Sequence, residues 1–322
     1  MVVALGLLGA LACGAGLATQ SRINGELGQQ LGDGFSAALF SFASGFVVVA
    51  AAMLLMPSGR RGLMVVRGAL RRREIPWWYV WGGAAGAFFV LTQGLTASLL
   101  GIAVFTVAVV AGQTLSGVLI DRRGIGATKP RAVTVTRALG ALLMLAAVVL
   151  VVSAQPIEAV SPWLVVMPFI AGFVSGWQQA VNGQVRVLSG SPVTATFMNF
   201  IAGTSALAIA TLVYVGVAGQ PVAWPPNPVL YLGGLLGVTF IALGSILAPR
   251  IGVLVLALGT ISGQLVTSLL LDLLVPAEGH PLTWTTVAGT ALTLVALGIA
   301  SLPIRSGPRR SGPQRPAVSS TR

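Results

Sequence analysis

Acidic side chains are scarce in this sequence: seven in 322 residues, against 19 lysines and arginines. Charged residues of both signs reach only 8%, where a soluble globular domain carries roughly 25%. So few charges cannot coat a water-facing surface of this size, which excludes the ordinary soluble classes. Histidine occurs once, as His280, and cysteine once, as Cys13. A lone cysteine in an apolar stretch forms no intrachain disulfide. Neither residue has neighbours spaced for a metal site or a nucleophile–base pair. Gly82-Gly83-x-x-Gly86 lies inside an apolar run and so is not a phosphate loop. The expectation is a protein that is not an enzyme and takes neither cofactor nor metal.

What is present is apolar: 55% hydrophobic residues, 41 glycines and a mean hydropathy of +0.91. Glycine in apolar segments permits close helix–helix approach. The net charge of +12 could suggest nucleic acid, but the basic residues gather in a few loops and the tail. That placement is a topology signal, and no nucleic-acid partner is expected. Spanning helices need about 20 mainly apolar residues. Ten candidates fit, near 2–22, 35–56, 77–97, 101–120, 134–153, 162–181, 193–215, 228–248, 252–275 and 283–303. Runs this long and continuous suit helices rather than barrel strands, so the fold class is an all-α polytopic membrane protein.

The chain carries one stretch twice. Gln20-Ser-Arg-Ile-Asn24-Gly25 recurs as Gln178-Gln-Ala-Val-Asn182-Gly183, an offset of 158. At the same offset Gly14 meets Gly172, Gly32 meets Gly190, Phe42 meets Phe200 and Gly45 meets Gly203. Because the first segment belongs to this repeat and has no basic leader, it reads as a retained helix rather than a signal peptide. Further along the offset is 151. Gly82, Gly83 and Gly86 meet Gly233, Gly234 and Gly237; Gly112-Gln113 meets Gly263-Gln264; Asp121 meets Asp272. Eleven of the forty positions 82–121 are identical to their counterparts in that register.

If ten helices alternate, every basic residue but Arg22 falls on one side, with Arg60, Arg61, Arg67, Arg71, Arg72 and Arg73 grouped in one loop. The positive-inside rule then puts both termini in the cytoplasm. Five helices is an odd number, so the second half enters inverted. The units are 1–153 and 154–303, a first and an inverted second five-helix repeat, followed by a disordered basic cytoplasmic tail at 304–322. The segment 57–76 mixes Leu63, Met64, Val65, Val66 and Leu70 with its arginines. It reads either as lying on the anionic inner leaflet at 60–73 or as a plain topogenic loop.

The motif Gln20-x-x-x-Asn24-Gly25, followed by Ala38-Leu-Phe-Ser-Phe-Ala-Ser-Gly45, resembles the drug/metabolite transporter superfamily (EamA-like), in its YdcZ-like branch of inner-membrane exporters. The resemblance covers about 1–303. It implies a bacterial inner-membrane bundle with a central cavity between the halves, and movement of a small-molecule substrate.

Gln113 and Gln264, near mid-helix, are the expected central substrate-binding pair, at the depth of a repeat interface. Their alternative role is an interhelical hydrogen bond, worth about 0.6 kcal/mol on average. Gln20 and Asn24 share one helix face, as do Gln178 and Asn182. The glutamines suit a cavity or gate, and each Asn-Gly equally suits a left-handed C-terminal cap. Gln93, Trp177 and Asn199 are further binding candidates. No charge sits at mid-helix, so coupling falls to peripheral groups, Glu26 and Asp272. The expected function is a secondary transporter or exporter of a small metabolite or drug-like solute, working by alternating access. The alternatives are a passive channel or lipid-handling protein, or a membrane scaffold without flux. A homodimer is compatible with the composition.

Overall fold

A computed structural model describes residues 2–123, 135–153, 162–219, 221, 223–251, 253–276 and 282–301. His280, the tail at 304–322 and the side chain of Asp121 lie outside the described residues. The described residues are helical, with no strand among them. The helices are α1 (Val2–Leu31), α2 (Gly34–Leu55), α3 (Pro57–Arg71), α4 (Gly82–Thr92), α5 (Ser98–Leu100), α6 (Ile102–Arg123), α7 (Val135–Ser153), α8 (Pro162–Ser189), α9 (Pro192–Ala218), α10 (Gly233–Ile251), α11 (Val253–Leu274) and α12 (Trp284–Ser301). A π-helical turn, Gln93–Ala97, joins α4 to α5, and a 3-10 turn, Trp77–Trp81, leads into α4. Among the described residues, six segments are long and apolar enough to cross a membrane: Gly34–Leu55, Trp77–Leu100, Ile102–Ile120, Pro162–Ser189, Pro192–Ala218 and Leu256–Leu274. Shorter apolar helices span Ala138–Ser153 and Trp284–Ile299.

The two Asn-Gly pairs are not left-handed helix caps. Neither ends a helix: α1 continues to Leu31 and α8 to Ser189. The left-handed cap residues are Gly32 (φ 62°) and Gly190 (φ 63°), one at the end of each copy. Each is followed by a side chain that caps the next helix. Asp33 accepts from Phe35 N at 2.8 Å and Ser36 N at 3.2 Å, and Ser191 accepts from Thr194 N at 3.3 Å. Glycine at 25 is needed for a close approach instead. A Cβ there would sit 3.0 Å from Ser98 N and 3.3 Å from Gln93 O. At about 1.5 Å per residue α1 is about 45 Å long, more than a hydrocarbon core of about 30 Å.

Four helix seams are closed by glycine set against backbone. In the α1–α11 seam a Cβ on Gly14 would strike Thr260 O, and one on Gly263 would strike Leu11 O. In the α6–α8 seam Gly172 faces Val109 O and Gly112 faces Phe169 O in the same way. In the α4–α9 seam Gly83 lies on Asn199 O; in the α2–α10 seam Gly234 lies on Ser41 O. Around these seams, Val104, Val107, Met144, Ala147, Val151 and Leu265 form one apolar core. Phe42 and Phe200 centre another, with ring centroids 5.2 Å apart.

The arginine-rich segment is helical over α3 rather than an irregular loop. Val66 and Ala69 are buried beneath it, while the six arginines, Met64 and Val65 are exposed. Thr194 Oγ1 donates to Gly59 O at 2.9 Å and ties α3 to the start of α9.

Candidate functional site

The paired carboxamides sit on glycine-floored faces. Gln20 and Asn24 of α1 lie against Gly237 and Gly233 of α10. Gln178 and Asn182 of α8 lie against Gly86 and Gly82 of α4. A side chain at any of these glycines would occupy the space the amides fill. The four amides are therefore held between helices, as their cost in lipid requires.

The two clusters are wired differently. In the first, Asn24 Nδ2 donates to Gln93 Oε1 at 2.7 Å and Gln93 Nε2 donates to Ser21 Oγ at 2.9 Å, all within the buried interior. Gln93 is wholly buried and opens the π-helical turn; such turns loosen the regular backbone ladder and often mark functional positions. Asn24 Oδ1 and Ser41 Oγ, both facing Gly233, have no hydrogen-bond partner. In the second cluster Asn199 Oδ1 accepts from Gln178 Nε2 at 2.7 Å and from Asn182 Nδ2 at 2.9 Å. Trp177 stacks on Trp78 beside it, centroids 6.0 Å apart. Asn199 corresponds to Ser41, and Gln93 to Gly244, so each copy supplies its own acceptor from a different helix.

Asn199→Ala is expected to cost about 1–3 kcal/mol, because two half-buried amide donors lose their common acceptor. Asn199→Ser, which keeps an acceptor oxygen, is expected to cost less. Thermal unfolding of the detergent-purified variants checks the order.

Gln264 is buried in the α1–α11 seam, and its Nε2 has no partner. Its backbone N faces Gly14. Gln113 is half-buried on α6, with its carbonyl toward Gly176 of α8. The two glutamines thus stand in separate seams.

Asp272 is buried, and both its oxygens are occupied. Oδ1 accepts from Ile102 N at 2.9 Å and Oδ2 from Ala103 N at 2.7 Å. The carboxylate lies near the C-terminal end of its own helix but at the N-terminal end of α6, where the peptide dipole favours negative charge. Sequence distance from basic residues hid this, since the compensating groups are backbone amides about 170 positions away.

Glu26 accepts from Gln30 Nε2 at 2.7 Å, and its other oxygen lies 3.8 Å from Arg22 Nη2. These residues line a cavity of about 430 Å³ at the end of the bundle that carries Ser98 and Val275. Arg22, whose counterpart is Ala180, was visible only as a topological exception; its departure from the repeat was the available signal.

With this geometry in view, comparison with known proteins is decisive for the family. The family described as "Putative inner membrane exporter, YdcZ", of the drug/metabolite transporters, matches in two stretches, residues 5–150 and 163–299. The chain belongs to this family. No curated protein matches it. One solved structure, described as a crystal structure of protein, is similar at TM-score 0.55 and 18% identity, over 92% of this chain and 95% of that one. That likeness shows a shared fold and nothing further. A multi-pass membrane exporter of the YdcZ family is the class to which the buried carboxamides belong.

Proposed function

We propose that this YdcZ-family protein is a ten-helix secondary exporter of the bacterial inner membrane, built from two inverted five-helix repeats, 1–153 and 154–303, that rock against each other. The observation that carries the reading is the pairing of glycine seams. Each crossing in which α1 meets α11 has a counterpart in which α8 meets α6, residue for residue at the offsets of 158 and 151. Reciprocal contacts of this kind are what a pseudo-two-fold axis in the membrane plane produces. The division of the family match into one stretch per half supports the same reading.

A small solute passes between the halves, past Gln264, Gln113 and the two carboxamide clusters. An unpartnered buried amide such as Gln264 Nε2 is costly, and a passing polar solute offsets that cost. Both termini face the cytoplasm, and α3 lies on the anionic inner leaflet with its arginines toward lipid phosphates.

Counterflow in proteoliposomes tests the proposal. Wild-type protein is expected to show saturable exchange. Gln264→Ala and Gln113→Ala are each expected to reduce it at least tenfold while the protein stays folded in the membrane. Unsaturable flux would identify a channel, and normal exchange in both variants would show that neither glutamine lies on the solute's path.

A further inference from the structure

We infer that α3 is a regulatory surface for anionic phospholipid headgroups, and that headgroups held there speed transport by clamping the turn between α8 and α9. The inference rests on the exporter reading and on the inner-leaflet placement of α3, and adds the regulation of the second carboxamide cluster. Gly34–Leu55 and Trp77–Leu100 are each long and apolar enough to cross a membrane, so α3 joins their ends at one face of the bilayer. At about 1.5 Å per residue its 15 residues run about 22 Å along that face. Both ends meet the lipid boundary. Leu54 and Leu55 are exposed just before α3, and Trp77 and Trp81 are exposed just after it, as tryptophans of a membrane interface are.

The two faces of α3 do different things. Arg60, Met64, Arg67 and Arg71 follow one another at spacings of four, three and four, which sets them in one exposed row. Among the described residues, only Arg72 of the six arginines has an acidic partner, Glu74 at 2.7 Å. The whole chain holds seven acidic residues, too few to neutralise the row from within. Its counter-charge comes from outside, and the planar fork of arginine suits phosphate oxygens. A basic row set along a membrane face meets anionic headgroups first, and Met64 gives the row an apolar contact at its middle. The opposite face holds the protein. Val66 packs with Val185 of α8 and Ala195 of α9. A Cβ on Gly62 would lie 3.0 Å from Ser189 O, and Thr194 Oγ1 donates to Gly59 O at 2.9 Å. α3 therefore clasps the end of α8 to the start of α9. These are the helices that carry Gln178 and Asn182 on one side and their shared acceptor Asn199 on the other. A headgroup that fixes α3 keeps donors and acceptor in register.

The test reconstitutes the full chain in two kinds of vesicle, phosphatidylcholine alone and phosphatidylcholine with one-third phosphatidylglycerol, matched in acyl chains and in folded protein. Counterflow by wild type is expected to be at least threefold faster in the anionic vesicles. Arg60→Gln, Arg67→Gln and Arg71→Gln combined are expected to erase that difference. Arg122→Gln with Arg123→Gln, which removes charge at the end of α6, is expected to keep it. Should the triple variant misinsert, Arg67→Gln and Arg71→Gln singly take its place, each expected to shrink the difference. Equal rates for wild type in the two vesicles, or a difference that survives the α3 substitutions, overturn the inference and leave the exporter standing. If neither vesicle shows exchange, the exporter reading falls and thermal unfolding of the detergent-purified chain decides the lipid surface. Short-chain phosphatidylglycerol is then expected to stabilise wild type at concentrations at least tenfold below short-chain phosphatidylcholine, and the α3 variants to lose that preference. No preference, or equal stabilisation by inorganic phosphate or polyglutamate, overturns the surface.

Discussion

Gly83→Val is expected to cost several kcal/mol and to leave little protein that survives purification, and Gly234→Val is expected to do the same. Overpacking a well-packed interior usually costs about 1–3 kcal/mol, and more when the obstructing atoms cannot move. Here they are backbone. A first side-chain carbon at position 83 would meet Asn199 O and C and then Gly203 N; at position 234 it would meet Ser41 O and Gly45 N. Relief would require the helices to part along the whole α4–α9 or α2–α10 seam, and burial of Phe42 against Phe200 would be lost with it. The controls are Gly117→Val and Gly183→Val, where nothing lies within 4 Å of the added carbon. Thermal unfolding followed by size-exclusion chromatography measures the difference. A Gly83→Val protein that melts with wild type would show that the seam is looser than its glycines demand. Unequal losses at 83 and 234 would argue against equivalent roles for the two copies.

The same glycines explain how much of the fold was readable beforehand. A residue that must be glycine, because a carbonyl occupies the place of its Cβ, remains identical in both copies. Gly14 with Gly172, Gly83 with Gly234 and Gly112 with Gly263 therefore exposed the repeat from sequence. The extent of α1 was not readable in this way. Asn24-Gly25 has the composition of a cap, and only the approach of the π-helical turn shows that Gly25 answers to packing rather than to a left-handed φ. Hydrogen-bond partners were the least legible. Gln20, Asn24, Gln178 and Asn182 announced themselves by repetition, but Gln93 and Asn199 serve only one cluster each, so no repeat could pair them with Asn24 and Asn182. The helical state of α3 was obscured by its arginines, which look like a loop until Val66 and Ala69 are seen packed beneath it.

Asp272→Ala is expected to cost about 2–6 kcal/mol, since it leaves two buried backbone N–H groups without an acceptor at roughly 1–3 kcal/mol each. Every helix begins with N–H groups that its own turns cannot satisfy. For α6 the usual remedy is missing, because the residue before it is Gly101, which has no side chain and adopts φ 80° to turn the chain. The cap must come from elsewhere, and α11 supplies it. Asp272→Asn retains one acceptor oxygen, so its cost is expected to be about half that of alanine. This graded series separates a cap from a coupling carboxylate. A cap predicts that transport per folded molecule survives in Asp272→Asn while the melting temperature falls. A coupling role predicts the opposite, an unchanged melting temperature with exchange abolished, because asparagine cannot carry a proton. Both oxygens lie 2.7–2.9 Å from amide nitrogens of another helix, so each one ties α11 to the start of α6. The carboxylate is therefore placed to hold that junction through two acceptor oxygens, and the asparagine variant measures how much of the holding depends on the second.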